Sequence, residues 1–555
     1  MNKKVCSFPI LFALLALLIG TCTVVFPASA QAAPSATGSI TVSGTVARSY
    51  DAYQIFSANV VDGDSDSKIA TDLAWASDAV RDAALPVLHS AGMPNSQTTA
   101  QEAAEWLNTD SHLTSALSAQ LARSLQSSGA VFVALNAGTA AELPCGYWLI
   151  VADDDAIAQD EAGTAPIMAL VGGSAVTVKP KAATPKVAKH VLEDSTAAWQ
   201  KAADATVADD LYWRLSATVP AGLTAYDTYT VRFVDTMSAG LDPSKVAASM
   251  RVYVAAGADG GFDAVQTGKD GRAGTDPAKG WTDITAQCAT KVAADGTFTV
   301  RTGDLIAALG GADAFTAGAR VVAVYNAPLN SACNHGIAKG NPNEVYLRYP
   351  RSPFADQSGD AGFTSTPSDD ACAYTWDLAL TKRGSDGDKP LAGAVLSIAD
   401  DRGRTLAADG TWDAEGKATV TTGEDGRVTV SGVDSGKLEV RELKAPKGYT
   451  AFEGARSVTV KAEGLDVDQV AAAKPKLTIT AESPLRADSA DGSTGSLEAS
   501  LINTPTGTPP SITTGGFMPS TGDMAMYAAA AAAVAGAALI VVALLVKRGG
   551  GSHKE

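Results

Sequence analysis

Histidine and cysteine are scarce in this chain. Five histidines and six cysteines are spread over 555 residues, and none falls into a zinc-ligand spacing. A glycine-rich phosphate loop and a nucleophile elbow are missing too. An ordinary soluble enzyme is therefore not expected, and neither a metal nor any other cofactor is called for. His335, beside Cys333, reads as a loop residue. Positive charge is also short: 43 Lys and Arg face 60 Asp and Glu, for a net charge of −17. That balance disfavours nucleic acid and anionic lipid as partners. Aromatic residues make up only 6% of the chain.

The two ends carry the strongest signals. Lys3-Lys4 is followed by an apolar run, Ile10 to Ile19 and Thr21 to Phe26, and then by Pro27-Ala28-Ser29-Ala30. This order predicts a secretory signal peptide over residues 1–30, cleaved after Ala30. The run is short and ends in small residues, which weighs against a membrane anchor. At the other end stands Met518-Pro519-Ser520-Thr521-Gly522, then an uncharged stretch of 23 residues from Met524 to Val546, then Lys547-Arg548. The stretch is long enough to cross a bilayer as a helix, with the basic tail, residues 547–555, held inside the cell. Pentapeptide, apolar stretch and basic tail together resemble the sortase sorting signal, LPxTG, of Gram-positive surface proteins, with Met518 in place of the leucine. The resemblance implies that a sortase cysteine attacks the Thr521 carbonyl, releases Gly522 onward and passes the acyl group to an amine. The protein is then secreted, briefly held in the membrane, and fixed to peptidoglycan.

The mature stretch, about 31–521, has room for three domains. Asp-Gly pairs such as Asp295-Gly296, Asp409-Gly410 and Asp425-Gly426 recur between short β-branched runs. They predict a mainly β protein built of tandem β-sandwiches. Residues 31–180 form the first unit. Strands are expected at Ser39 to Val42, Tyr50 to Phe56, Ala130 to Leu135 and Gly146 to Ala152. A helical insertion is expected from Ala100 to Leu125, where Ala104, Leu107, Leu113, Leu117 and Leu121 make an apolar stripe. Residues 181–351 form the second unit, 352–373 a polar linker, 374–503 the third unit and 504–517 a Thr/Pro/Gly spacer before the sorting motif at 518–522. Cys6 and Cys22 leave with the leader. Cys145, Cys288, Cys333 and Cys372 remain, either as disulfides in one of three pairings or as free, buried side chains.

Strand side chains alternate between two faces. In the third unit, Lys382 shares a face with Leu378 and Leu380, Glu442 with Leu438 and Val440, and Asn503 with Leu497 and Leu501. In the second unit, Lys189 goes with Val187 and Val191, Asp235 with Val231 and Phe233, and Asn343 with Val345 and Leu347. Each unit thus points a lysine, an acid and an asparagine into its core. Buried charge is costly unless paired. One outcome is a hydrogen-bonded Lys–acid pair. The other is an intramolecular amide: burial lowers the amine pKa and raises the acid pKa, a neutral amine attacks the carboxamide, and ammonia leaves. Asn341 has the same parity as Asn343 and is a rival to it; Asn326 is a weaker one.

These residues lie in recognisable surroundings. Glu439-Val440-Arg441-Glu442-Leu443-Lys444-Ala445-Pro446-Lys447-Gly448-Tyr449 resembles the E-box, ETxAPxGY, of collagen-adhesin B-type domains, with Leu443 in place of threonine. Leu380-Thr381-Lys382 and Ile502-Asn503-Thr504-Pro505 resemble that domain's opening and closing strands. Phe233 to Leu241 and Gly340 to Val345 resemble the acid strand and last-strand start of the domain type that precedes it. The mature chain as a whole resembles the shaft subunits of sortase-assembled Gram-positive pili. That resemblance implies Lys189–Asn343 and Lys382–Asn503 amides, promoted by Asp235 and Glu442. Val178-Lys179-Pro180-Lys181 is similar to the pilin motif and makes Lys181, or alternatively Lys179, the amine that accepts Thr521 of the next subunit. Implied partners are a pilus-class and then a housekeeping sortase, identical subunits head to tail, tip and base pilins, and peptidoglycan. A monomeric wall-anchored adhesin for host matrix or glycan is the alternative.

Overall fold

A computed structural model describes residues 36–507, apart from 45–47, 65–66, 110, 154–156, 158–160, 181–183, 221–222, 258–279 and 317. The chain is mainly β, with six sheets in three successive pairs. In the first pair, Thr37–Val42 lies between Ala140–Pro144 and Val176–Val178. The partner sheet runs Lys68–Trp75, Ser49–Asp62, Gly146–Ala152, Ile167–Val171, with Val133–Asn136 added on Ser49–Asp62.

Three helices cover the first region's core: Asp78–Ser90, Ala100–Leu107 and Ser115–Ser128. The helical insertion is therefore real but differently divided. Thr99 and Glu102 close a capping box at the start of the second helix, and the Thr114 hydroxyl accepts from the Leu117 amide to begin the third. Capping residues thus split what the apolar stripe joined into one. The first helix, capped by Ser77, contains Pro86 and was not expected. Val80, Ala84, Leu88, Leu117, Leu121 and Leu125 pack together over Tyr53, Ile55 and Phe56.

The middle region is a sandwich. One sheet runs Ala198–Gln200, Val187–Glu193, Tyr212–Thr218, Arg320–Asn326, Arg251–Ala255, Trp281–Asp283. The facing sheet runs Ala202–Asp204, Asp369–Tyr374, Asn341–Pro350, Arg232–Met237, Thr297–Arg301, Ala289–Val292, with Phe363–Ser365 paired to Asn341–Pro350. Trp213, Leu215 and Tyr325 from the first sheet meet Phe233, Phe298, Val345 and Leu347 from the second. Asp295-Gly296 makes the turn between two of these strands: Gly296 has φ +86° and the Asp295 carboxylate accepts from the Thr297 amide at 2.9 Å.

One expectation fails here. The stretch 352–373 is not a plain linker, because Phe363–Ser365 and most of Asp369–Tyr374 are strands of the middle sandwich. Asn341–Pro350 is consequently not its last strand. The polar pair Asp369-Asp370 masks the strand in the sequence, while Ala371, Cys372 and Ala373 are fully buried behind it.

The C-terminal region is a second sandwich. Its smaller sheet runs Arg427–Val433, Trp376–Gly384, Ser496–Pro505, Tyr449–Thr450, with Leu485–Asp491 on the far part of Ser496–Pro505. Its larger sheet runs Trp412–Asp413, Thr405–Leu406, Val395–Ala399, Gly436–Lys444, Ala455–Glu463, Lys476–Ala481, with Val420–Thr421 on Val395–Ala399. Among the described residues the four cysteines Cys145, Cys288, Cys333 and Cys372 are free, all but Cys288 buried, and no helix is long and apolar enough to cross a membrane.

Candidate functional site: two buried lysine, acid and asparagine clusters

Strand alternation places Lys189, Asp235 and Asn343 at 0% exposure in the middle core, and Lys382, Glu442 and Asn503 at 0, 6 and 2% in the C-terminal core. The neighbours on each strand follow the expected parity. Arg232–Met237 alternates with Phe233, Asp235 and Met237 inside, and Gly436–Lys444 with Leu438, Val440 and Glu442 inside.

In the middle cluster Lys189 comes from one sheet, while Asp235 and Asn343 come from the other. The strands Arg232–Met237 and Asn341–Pro350 are antiparallel neighbours, with Asp235 opposite Val345 and Met237 opposite Asn343. Asp235 and Asn343 are therefore diagonal neighbours on one face. Lys189 Nζ is hydrogen-bonded to Asp235 Oδ2 and to the Tyr325 hydroxyl at 3.0 Å. The Tyr325 hydroxyl also reaches Asp235 Oδ2 at 3.1 Å and accepts from Asn343 Nδ2 at 2.9 Å. Asp235 Oδ1 and Asn343 Oδ1 are buried without a hydrogen-bond partner. Both are acceptors, and leaving each unsatisfied costs about 1–3 kcal/mol. The Trp213 and Tyr325 rings lie 5.6 and 5.5 Å from the lysine nitrogen and wall it from water.

The electrostatics follow from this enclosure. Burial pulls Lys189 from 10.5 down to about 8, against the opposing pull of Asp235, and pushes Asp235 from 3.8 up to about 6. Both shifts make moving a proton from amine to acid less costly than between the unperturbed groups. Burial likewise lowers Lys382 to about 8.

In the C-terminal cluster Lys382 and Asn503 sit on parallel neighbours of the same sheet, with Lys382 opposite Leu501 and Gly384 opposite Asn503. Glu442 arrives from the facing sheet. Lys382 Nζ contacts Asn503 Oδ1 and lies 3.3 Å from Glu442 Oε1. Asn503 Nδ2 donates to both Glu442 oxygens at 2.9 and 3.0 Å, and the Phe452 amide donates to Oε2 at 3.2 Å.

The rival asparagines are engaged elsewhere. Asn341 is buried, but its amide is taken up by Asn334 N and O, both at 2.8 Å, and by Ala373 O at 3.2 Å. It pins the loop against Gly240, where a Cβ would come within 2.2 Å of Asn341 Oδ1. Asn326 bonds the Leu211 amide and Asp210. Neither touches Lys189. Lys179 is exposed just after the strand Val176–Val178, which pairs in parallel with Thr37–Val42. Lys181, Thr521, Gly522, the signal peptide, the sorting motif and the 524–546 stretch lie outside the described residues. Tyr325 was missed from sequence, because Val321-Val322-Ala323-Val324-Tyr325 is buried on both faces and shows no alternation.

Residues 377–474 match the family model of the SpaA prealbumin-like fold domain. Over 134 residues the chain is 31% identical to the trypsin-resistant surface T6 protein of Streptococcus pyogenes serotype M6. That match covers 23% of this chain, and the chain spans 23% of the length of that curated relative. Among solved structures, the T6 backbone pilin of serotype M6 Streptococcus pyogenes aligns over 86% of this chain and 100% of its own, at 17% identity and a TM-score of 0.46. The full-length major pilin SpaD of Corynebacterium diphtheriae aligns over 85% and 97%, at 15% identity and a TM-score of 0.40.

Proposed function

We propose that this chain is a structural shaft subunit of a covalently polymerised, cell-wall-anchored pilus, and that each of its two clusters closes an intramolecular Lys–Asn amide. The observation that carries this reading is the burial, twice in one chain, of an amine against a carboxylic acid with a carboxamide in the same pocket. A structural ion pair needs no asparagine, and a buried pair is a poor source of stability.

The C-terminal cluster has the contacts for each step. Lys382 Nζ gives a proton to Glu442 and attacks Asn503 Cγ, whose oxygen it already touches. Glu442, bonded to Nδ2, protonates the departing nitrogen. The Nζ–Cγ bond forms, Cγ–Nδ2 breaks, and ammonia leaves. Of the three ammonium protons one stays on the amide, one leaves with ammonia and one remains on the acid. Buried charges are thereby replaced by neutral groups, which favours the product in a low-dielectric core. Lys189, Asp235 and Asn343 carry out the same conversion in the middle region.

Polymerisation uses the ends. A sortase acyl-enzyme at Thr521 is resolved by Lys181 of a neighbouring subunit, and the last subunit is passed to peptidoglycan. Immunoblots of cell-wall extracts test this. Wild-type cells should give a high-mass ladder that disappears in Lys181→Ala and in a strain without its pilus-class sortase. A ladder that persists in Lys181→Ala contradicts the assignment of the amine, and a single wild-type band identifies a monomeric adhesin instead.

A further inference from the structure

We propose that Tyr325 is a third catalytic group of the middle cluster, relaying a proton to the departing nitrogen of Asn343. The inference rests on reading that cluster as amide-forming.

Its hydroxyl oxygen is within hydrogen-bond distance of all three reacting groups: Lys189 Nζ at 3.0 Å, Asp235 Oδ2 at 3.1 Å and Asn343 Nδ2 at 2.9 Å. Among the described residues no hydrogen bond joins Asp235 to Asn343 directly. The C-terminal cluster differs at this point, since Glu442 bonds Asn503 Nδ2 with both oxygens and needs no intermediary. Aspartate is one methylene shorter than glutamate, and the tyrosine hydroxyl fills the gap. Tyr325 is fully buried, and Phe298 packs edge-on against its ring at 4.8 Å, so the hydroxyl is fixed in place.

The hydrogen-bond directions suit a relay. Before reaction the hydroxyl accepts from Nζ and Nδ2 and donates to Asp235, which uses its two lone pairs and one proton. Proton transfer from Lys189 converts Asp235 to the acid. Attack of Nζ on Cγ makes Nδ2 a basic amine. Tyr325 then donates its proton to Nδ2 and is reprotonated by Asp235. Cγ–Nδ2 breaks, ammonia leaves, and Asp235 takes the surplus proton from the new amide nitrogen. Tyr325 ends as it began. Burial and the neighbouring Asp235 hold its phenol well above the ordinary range, so it carries its proton when the transfer begins and regains it from Asp235.

The test follows ammonia loss over time in the full mature chain made by cell-free synthesis, with intact mass and tandem mass spectrometry separating the two clusters. In wild type both clusters should lose ammonia. In Tyr325→Phe the C-terminal loss should keep its rate, while the middle loss slows by about 100-fold, a typical contribution of one proton-transfer group. Equal middle rates in the two chains would overturn the relay and leave the amide reading standing. Absence of the middle loss in wild type would overturn both. Because deleting a buried hydroxyl can disturb folding, 3-fluorotyrosine at position 325 provides a near-isosteric second arm. This stronger acid should speed the middle step by about threefold or more and leave the C-terminal step unchanged; an unchanged or slower middle step overturns the proposal.

Discussion

The middle and C-terminal clusters use the same residue types in different geometries. In the middle region the lysine and asparagine belong to facing sheets, so the proposed amide between them would staple the sandwich through its core. In the C-terminal region they belong to parallel neighbouring strands, and the amide ties the entering strand to the leaving one. The consequence is mechanical. In the proposed fibre, tension reaching Lys382 would cross directly to Asn503, two residues before the end of its strand and 121 positions along the chain, and would bypass the residues between them. In the middle region tension would cross to Asn343 and still have to pass through the rest of Asn341–Pro350, Phe363–Ser365 and Asp369–Tyr374, which lie outside the loop that the proposed amide closes. The misread linker is therefore the part of the fold that such a cross-link would leave unprotected.

Four experiments would break or sharpen this contrast. The largest effect is expected for Glu442→Ala, which should keep one ammonia and lose the C-terminal amide. Opening a loop of 121 residues removes roughly 4–5 kcal/mol of unfolded-state restraint, measurable by denaturant unfolding of this region; an unchanged midpoint would refute the role of the amide. Next, single-molecule stretching of the wild-type chain should show an extension on the order of 100 Å from the segment between Asn343 and Trp376, and none from the C-terminal sandwich. Equal extension from both sandwiches would erase the distinction.

The third experiment is a pH profile. With Lys189 at about 8 and Asp235 at about 6, the reactive form has the amine neutral and the acid protonated. Below pH 6 the neutral amine becomes rarer, and above pH 8 the protonated acid becomes rarer. The rate of middle ammonia loss should therefore be flat between about 6 and 8 and fall on both sides; a rate that climbs steadily past pH 9 would remove the acid from the mechanism. The smallest effect is expected for Asn341→Ala. Losing its hydrogen bonds should cost about 1–3 kcal/mol with both ammonias still released, whereas a retained middle ammonia would move the cross-link to Asn341.

The two clusters were also unequally legible in the sequence. Lys382, Glu442 and Asn503 sit on strands whose sides differ in polarity, so alternation alone turned them inward, and the surrounding motif agreed. Lys189, Asp235 and Asn343 were found the same way, but parity could not separate Asn343 from Asn341, because two residues along a strand return to the same face. Their contacts distinguish them: Asn341 is held by Asn334 and Ala373, while Asn343 reaches the Tyr325 hydroxyl beside Lys189. Tyr325 and Ala371-Cys372-Ala373 carried no usable pattern, the first because its strand is buried on both sides and the second because two aspartates precede it. Helix boundaries at Thr99 and Thr114 depended on capping, a local signal that the longer apolar stripe concealed.

The most direct test of the account is the intact mass of the mature, reduced protein, followed by sequencing of the cross-linked peptides. Two amides predict a mass about 34 Da below that of the sequence, with Lys189 joined to Asn343 and Lys382 to Asn503. A mass equal to that of the sequence would contradict both cross-links and leave the clusters as buried ion pairs.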